Sequence, residues 1–312
     1  MTPKKAGKGW TVHYGEPLPR TGHFWRSAWL SGPGILWMSV FLLLPIIIVV
    51  VMSFLTRGPE GQVVGDFTMT NYNRLAGQSV FGYDPIYIEI LNRSILVGCA
   101  TAALCLLAAL PMAFFIAGLP RRLKTLALIL VIIPFWTNLL IRTYAWQILL
   151  SPESWLVRPF VFIGLLSPDE ALYPGWTPVM FAMVCDYLPF IVLPLYASVE
   201  KINWELAEAA RDLGAPKWEA FRNAILPQIQ PGLIAGFILV LLPATGQFVI
   251  PDLLGGSKTF LLGNALQQEF TVSRDLPFGS AFAVVAMALV LFGLMVHSFF
   301  TLNEKEKAPV VL

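Results

Sequence analysis

Charge is scarce in this chain. Only 13% of its 312 residues are Asp, Glu, Lys or Arg, against about 25% in a soluble globular domain. Hydrophobic residues make up 56%, and mean hydropathy is +0.69. A soluble enzyme is excluded, and a membrane protein is implied. Histidine and cysteine are scarcer still, at three each. His13, His23 and His297 are scattered, so no His-based metal site can be built from them. Cys99, Cys105 and Cys185 lie in apolar runs without the paired spacing of a metal site or disulfide framework. They read as small buried hydrophobes. The formal net charge of +2 argues neither for nor against nucleic acid, and none is expected as a partner.

Catalytic motifs are missing too. A phosphate-cradling loop needs Gly-x-x-x-x-Gly-Lys-Ser/Thr, so that backbone N–H groups surround the phosphate. Gly255-Gly256-Ser257-Lys258-Thr259 comes near, but Ser257 intervenes before the lysine and the first glycine is misplaced. There is no His-Glu-x-x-His, no Gly-x-Ser-x-Gly and no pair of intramembrane acids. An intramembrane enzyme is therefore not expected, nor a cofactor bound by this chain.

What the chain does have is long apolar runs. A helix crosses a bilayer in roughly 20 residues, and six stretches qualify. They are Ile35 to Leu55, Ser94 to Leu119, Leu123 to Leu150, Trp176 to Val199, Pro231 to Pro251 and Pro277 to Leu302. The third is interrupted by Lys124 and Arg142, and the fourth holds Asp186. Pro45, Pro111, Pro134, Pro189, Pro194 and Pro243 fall inside these runs and read as kinks. The first run is too long for a cleavable signal and lacks a small-residue cleavage site, so it reads as a retained anchor. The organisation expected is a tail over residues 1–28, an all-α domain of six transmembrane helices over 29–302, and a tail over 303–312. Of the 21 basic residues, 14 fall on the side that holds both termini and the loop after span four. The positive-inside rule then makes both ends cytoplasmic.

Asn203 to Arg222 carries charge throughout and cannot sit in lipid. Glu205 to Leu213 reads as a short Ala-rich helix, ended by Gly214 and followed by Pro216, which suits the first turn of a second helix. Ala209 and Ala210 leave one helix face flat enough to enter a groove on another protein. Glu208-Ala209-Ala210, Gly214 and Leu226-Pro227 stand at the offsets of the EAA loop, and here the chain resembles ABC importer permeases. The family's Ile position is Ala224, with Ile225 beside it. Pro134-Phe135-Trp136-Thr137-Asn138 through Tyr144, Tyr187-Leu188-Pro189-Phe190, Leu193-Pro194-Leu195-Tyr196, Asp252-Leu253-Leu254-Gly255-Gly256 and Pro277-Phe278-Gly279 are similar to the spermidine/putrescine branch.

The resemblance implies the fold of an ABC importer permease, in a multi-pass bacterial inner-membrane protein that forms half of a path for a small cationic solute. A polyamine is the first choice, and an opine, an amino-acid derivative or ferric iron the alternative. A stand-alone secondary carrier would leave the Glu208 loop unexplained. The partners implied are two cytoplasmic ATPases, which hold ATP and Mg, a second homologous permease subunit and an extracytoplasmic solute-binding protein. The coupling loop, about 200–230, would dock the ATPase through Glu208, Ala209, Ala210, Asp212, Gly214, Leu226 and Pro227.

Four residues are candidates for the solute path. Asp186 lies near mid-membrane, where an acid costs about 2.5–3.5 kcal/mol, so it faces the protein interior or a water-filled path. It is either a counter-charge for a cation or a structural partner, for instance of Arg142 or of the second permease. Trp136, Asn138, Tyr144 and Trp146 form a polar-aromatic cluster near the outer end of span three. Its rings either hold ammonium groups by cation–π contacts of about 0.5–2 kcal/mol each or belong to an interfacial belt, with Asn138 in a packing or pathway role. Trp146 reads as part of an interfacial aromatic belt. Gly232 and Gly236 form a small-xxx-small pair that either seats a neighbouring helix or is incidental.

Overall fold

The structure is a computed structural model that describes residues 21–59, 61–79, 82–151, 153–163, 172–256 and 259–307. It is helical almost throughout. In order, the elements are α1 (Thr21–Ser53), β1 (Thr56–Arg57), β2 (Val63–Val64), α2 (Thr70–Leu75), β3 (Gln78–Ser79), β4 (Gly82–Tyr83), α3 (Ile86–Gly118), α4 (Arg121–Ile132) and α5 (Leu139–Leu149). Then come α6 (Arg158–Phe162), α7 (Trp176–Val199), α8 (Trp204–Asp212), α9 (Lys217–Ala220), α10 (Leu226–Thr245), α11 (Leu262–Gln267) and α12 (Leu276–Lys307). Two antiparallel hairpins, β1–β2 and β3–β4, are the strands among the described residues.

The residues up to Val51 form one unit and those from Met52 a second. In the first, α1 presents mostly apolar side chains from Ile35 to Val51, with Trp37 and Phe41 in ring contact at 4.4 Å. Lipid tolerates this, because a helix satisfies its own backbone groups and only the side chains meet hydrocarbon. The helix stops at Ser53, two residues before the expected end of span one.

In the second unit α3, α7 and α10 pack side by side. Small residues make this possible. Ala102, Cys105, Ala109 and Ala113 repeat every three or four positions on α3 and are fully buried. They meet a wall of Val179, Ala182, Met183, Ile191 and Leu195 from α7. Gly232 and Gly236 on α10 do seat a neighbouring helix. A Cβ at Gly236 would lie 2.4 Å from Ile191 Cγ1, and one at Gly232 would lie 2.3 Å from Ser198 Oγ. A second cluster joins Phe278 and Phe282 of α12 to Leu75, Ile90 and Leu262, with Tyr87 edge-on to both Phe rings at 4.9 and 5.5 Å. Asp275 pins this region. It pairs with Arg74 at 3.1 Å and Arg57 at 3.9 Å, and accepts the Phe278 N–H at the start of α12.

Among the described residues, five helices are long and apolar enough to cross a bilayer, and a bent pair makes the sixth. The fourth expected span coincides with α7. The third does not run as one helix. α4 passes into a 3-10 turn over Ile133–Trp136, and α5 leaves at 91° to it. Pro134 withholds a backbone donor there. Asn138 takes an extended conformation (φ −61°, ψ 133°), and its carboxamide accepts the N–H groups of Leu140 and Ile141. That cap starts a new helix in a new direction. The fifth expected span is also displaced. Its helix is continuous from Lys217 to Thr245 through a π-helical turn at Phe221–Ile225. It ends at Gly246, so the predicted end at Pro251 falls in a separate π turn, Pro251–Gly255.

Candidate functional site

The charged loop folds as two short helices locked at both ends. Asn203 caps α8, its side chain accepting the Glu205 N–H at 3.0 Å. At the far end Gly214 adopts φ +88°. Its N–H donates to Arg211 O at 2.9 Å, while Ala215 N–H reaches back to Ala210 O at 3.1 Å. This paired closure satisfies carbonyls that the helix end would leave orphaned, and it needs the left-handed residue that glycine supplies. Pro216 stands just before α9, at the N-cap rather than inside the first turn.

Ala207 faces inward and is buried. Glu208, Ala209 and Asp212 face out, Ala210 is half-buried, and Leu213 is 90% exposed. A shallow polar depression runs from Glu208 and Asp212 past Gly214 to Lys217. Leu226, half-buried, opens α10, and Pro227 lies exposed in its first turn. Phe114, near the end of α3, meets Trp204 at 6.5 Å and Phe221 at 6.3 Å, which seats the loop on the bundle. Glu200, just past α7, accepts from Tyr196 and Lys124. Those hydrogen bonds hold its carboxyl below the ordinary glutamate range.

One residue of this site escaped the sequence reading. The Gln228 side chain closes the loop by accepting the Asn203 N–H at 2.8 Å. It also donates to Asn203 O at 3.4 Å and Ala224 O at 2.7 Å. The only signal was an amide following Leu226-Pro227. Ala224 is drawn into the same clasp through its carbonyl, so its small side chain does not leave the position idle.

The second site lies within the membrane-spanning helices. Asp186 on α7 is 5% exposed. Arg142 on α5 brings Nε to 2.5 Å from Asp186 Oδ1, and its Nη1 donates to the carbonyl of Pro134 at the break. The structure thus supplies a partner within this chain. Asp186 Oδ2 has no hydrogen-bond partner. Next along α7, Tyr187 donates to Pro243 O and accepts from Gln247, tying α7 to the end of α10.

Of the other path candidates, Asn138 serves as the cap of α5, whereas Trp136 (80% exposed) and Tyr144 stand on the surface. Trp146 lies two residues beyond Tyr144 on α5. It is half-buried against Phe181, edge-on at 4.9 Å. Glu269, also missed, is buried with one oxygen accepting from Tyr87 at 3.3 Å.

Known proteins resemble this chain in sequence and in fold. Residues 106–307 match the family described as binding-protein-dependent transport system inner membrane component. The spermidine/putrescine transport system permease protein PotB of Escherichia coli is 40% identical over 83% of this chain and 91% of its own. Its counterpart in Haemophilus influenzae is 39% identical over 82% and 88%. The inner membrane ABC transporter permease protein YdcU of E. coli is 28% identical over 86% and 90%. Among solved structures, a bacterial ABC transporter involved in import of the acidic polysaccharide alginate superposes with a TM-score of 0.63. It covers 88% of this chain and 98% of its own at 20% identity, a likeness of fold alone. An all-α chain with five or six candidate spans among its described residues, a charged loop between two of them and relatives aligned over most of their length lead to one conclusion: the chain belongs to the binding-protein-dependent inner membrane transport components, as a multi-pass permease subunit of an ABC importer.

Proposed function

We propose that this permease forms half of the translocation path for a polyamine of the spermidine/putrescine class. The observation that carries the reading is the 40% identity to PotB, which extends over 83% of the chain. The remaining half comes from a second homologous permease. Two cytoplasmic ATPases bind the ATP and Mg, and an extracytoplasmic protein delivers the solute. The alginate transporter has been solved in complex with a periplasmic protein holding a pentasaccharide, which supports the last of these partners. Both termini and residues 201–228 face the cytoplasm in this scheme, as the bias of basic residues requires.

The charged loop is then the ATPase contact. Glu208, Ala209 and Asp212 lie exposed on α8. Ala210, Gly214, Leu226 and Pro227 set the helix end and the exit into α10. The paired closure at Gly214 and the Gln228 clasp make the loop stiff, so a push on α8 passes into α10 instead of being lost in bending. Asp186 is the counter-charge of the path. Unit charges at 4 Å attract by about 4 kcal/mol at an effective dielectric of 20, which offsets part of an ammonium group's lost hydration. Trp136, Asn138 and Tyr144 belong to the walls that the two permease halves share.

The test is uptake of radiolabelled spermidine and putrescine by proteoliposomes holding the four-subunit complex and its loaded binding protein. ATP-dependent uptake of either is expected. Uptake of neither, with transport of an opine or ferric iron by the same vesicles, would overturn the polyamine assignment.

A further inference from the structure

We propose that Arg142 is a tethered occupant of an ammonium-binding site, formed by the Asp186 carboxylate and the Pro134 carbonyl, and that an ammonium group of the solute displaces it during transport. The proposal rests on the polyamine reading above and deepens it.

Three observations lead there. Asp186 is 95% buried by its 5% exposure, yet Oδ2 has no partner. Buried carboxylates ordinarily fill their acceptor positions, so this oxygen is free for an incoming donor. The resident cation covers one oxygen of the carboxylate only. Arg142 meets Asp186 through Nε at Oδ1 alone, 2.5 Å away, while its Nη1 donates to the Pro134 carbonyl. The planar fork that makes arginine a strong carboxylate ligand is therefore not engaged in its bidentate form. Finally, the Pro134 carbonyl lies in the 3-10 turn where the span breaks. Carbonyls at the end of an interrupted membrane helix are a general cation ligand. A carboxylate beside such a carbonyl has nothing that selects guanidinium over ammonium.

Exchange solves a charge problem. A vacant site would leave Asp186 buried and unpaired between transport events, which is strongly unfavourable. Replacing one cation by another keeps the count of charges constant, so the carboxylate is paired before and after. Arg142 has a short way out, since its neighbours Ile141 and Tyr144 on α5 are exposed. The resting path is thereby plugged against small cations by the protein's own side chain.

The experiment uses the complete complex in proteoliposomes, with spermidine as the probe and three variants: Arg142→Gln, Asp186→Asn and the two combined. Arg142→Gln should hydrolyse ATP without solute several times faster than the parent, and millimolar guanidinium should restore the parental rate by refilling the vacated place. The combined variant buries no unpaired charge, so it should assemble and hydrolyse ATP, yet spermidine uptake should fall about tenfold or more. Uptake by the combined variant within about twofold of the parent would reduce the pair to a structural tie and overturn the proposal. So would an Arg142→Gln complex whose hydrolysis ignores guanidinium. A parental complex that takes up no spermidine would instead sink the polyamine reading, because the guanidinium response is read without any solute.

Discussion

Gly214 shows how one backbone angle closes a helix. Its φ of +88° lies where an L-residue costs about 1–2 kcal/mol, and a Cβ there would meet open space. Within this chain, any defect from substitution is therefore a backbone effect. Gly214→Ala should weaken ATPase co-purification, and Gly214→Val, with its branched side chain, should abolish it at matched membrane levels. Gly236 is the opposite case. Its Cβ would strike Ile191 at 2.4 Å, so Gly236→Leu should overpack the α7–α10 contact at a cost of about 1–3 kcal/mol. That loss would be seen as a lower melting temperature of the detergent-solubilised subunit. Gly214 was legible in the sequence because a left-handed cap is a local property, written in its immediate neighbours. The partner of Asp186 could only be guessed among candidates, because Arg142 reaches it across the fold.

At the scale of elements, the third span teaches which prolines matter. Pro189 and Pro194 sit inside α7, and the helix continues through them. Pro134 is followed by Thr137 and Asn138, whose side chains offer the backbone another set of partners, and there the helix breaks. A proline removes one donor; a capping amide just beyond it makes the alternative conformation stable. Reading every proline alike hid that difference. The charged loop was legible as two helices and a turn, but the clasp of Gln228 was not, since a lone amide carries no periodicity. Gln228→Met keeps the bulk and loses the bonds to Asn203. It should leave membrane levels intact while lowering the solute carried per ATP hydrolysed. Asn203→Ala removes only the α8 cap and retains the backbone groups that Gln228 binds, so it should cost about 1 kcal/mol of local stability with coupling largely kept. Equal coupling loss in both variants would assign the effect to the cap.

For the whole molecule, the side on which each end lies turns on the bent pair. If α4 and α5 together cross the bilayer, both termini and the charged loop share the cytoplasm. If the pair turns back, the sides no longer match. Single cysteines at Lys217 and Glu153, in a version lacking Cys99, Cys105 and Cys185, decide this. An impermeant thiol reagent on intact cells should modify position 153 and spare 217, and the reverse pattern would show that the pair turns back or that the whole chain is inverted.

The ion pair across that bend also has a consequence for how the chain is made. α5 leaves the ribosome with an unpaired guanidinium, which costs about 2.5–3.5 kcal/mol at the centre of a bilayer, and it spans only 11 residues. It has no means of partitioning into lipid by itself. Asp186 is synthesised later, on α7. Until then α4 and α5 must wait beside the insertion machinery, and the two charges enter the membrane as one neutral unit. In a nascent chain stopped before α7, which α1 and α3 already hold in the bilayer, the α4–α5 segment should accordingly stay open to an impermeant thiol reagent, whereas in a chain extended past Val199 it should become protected.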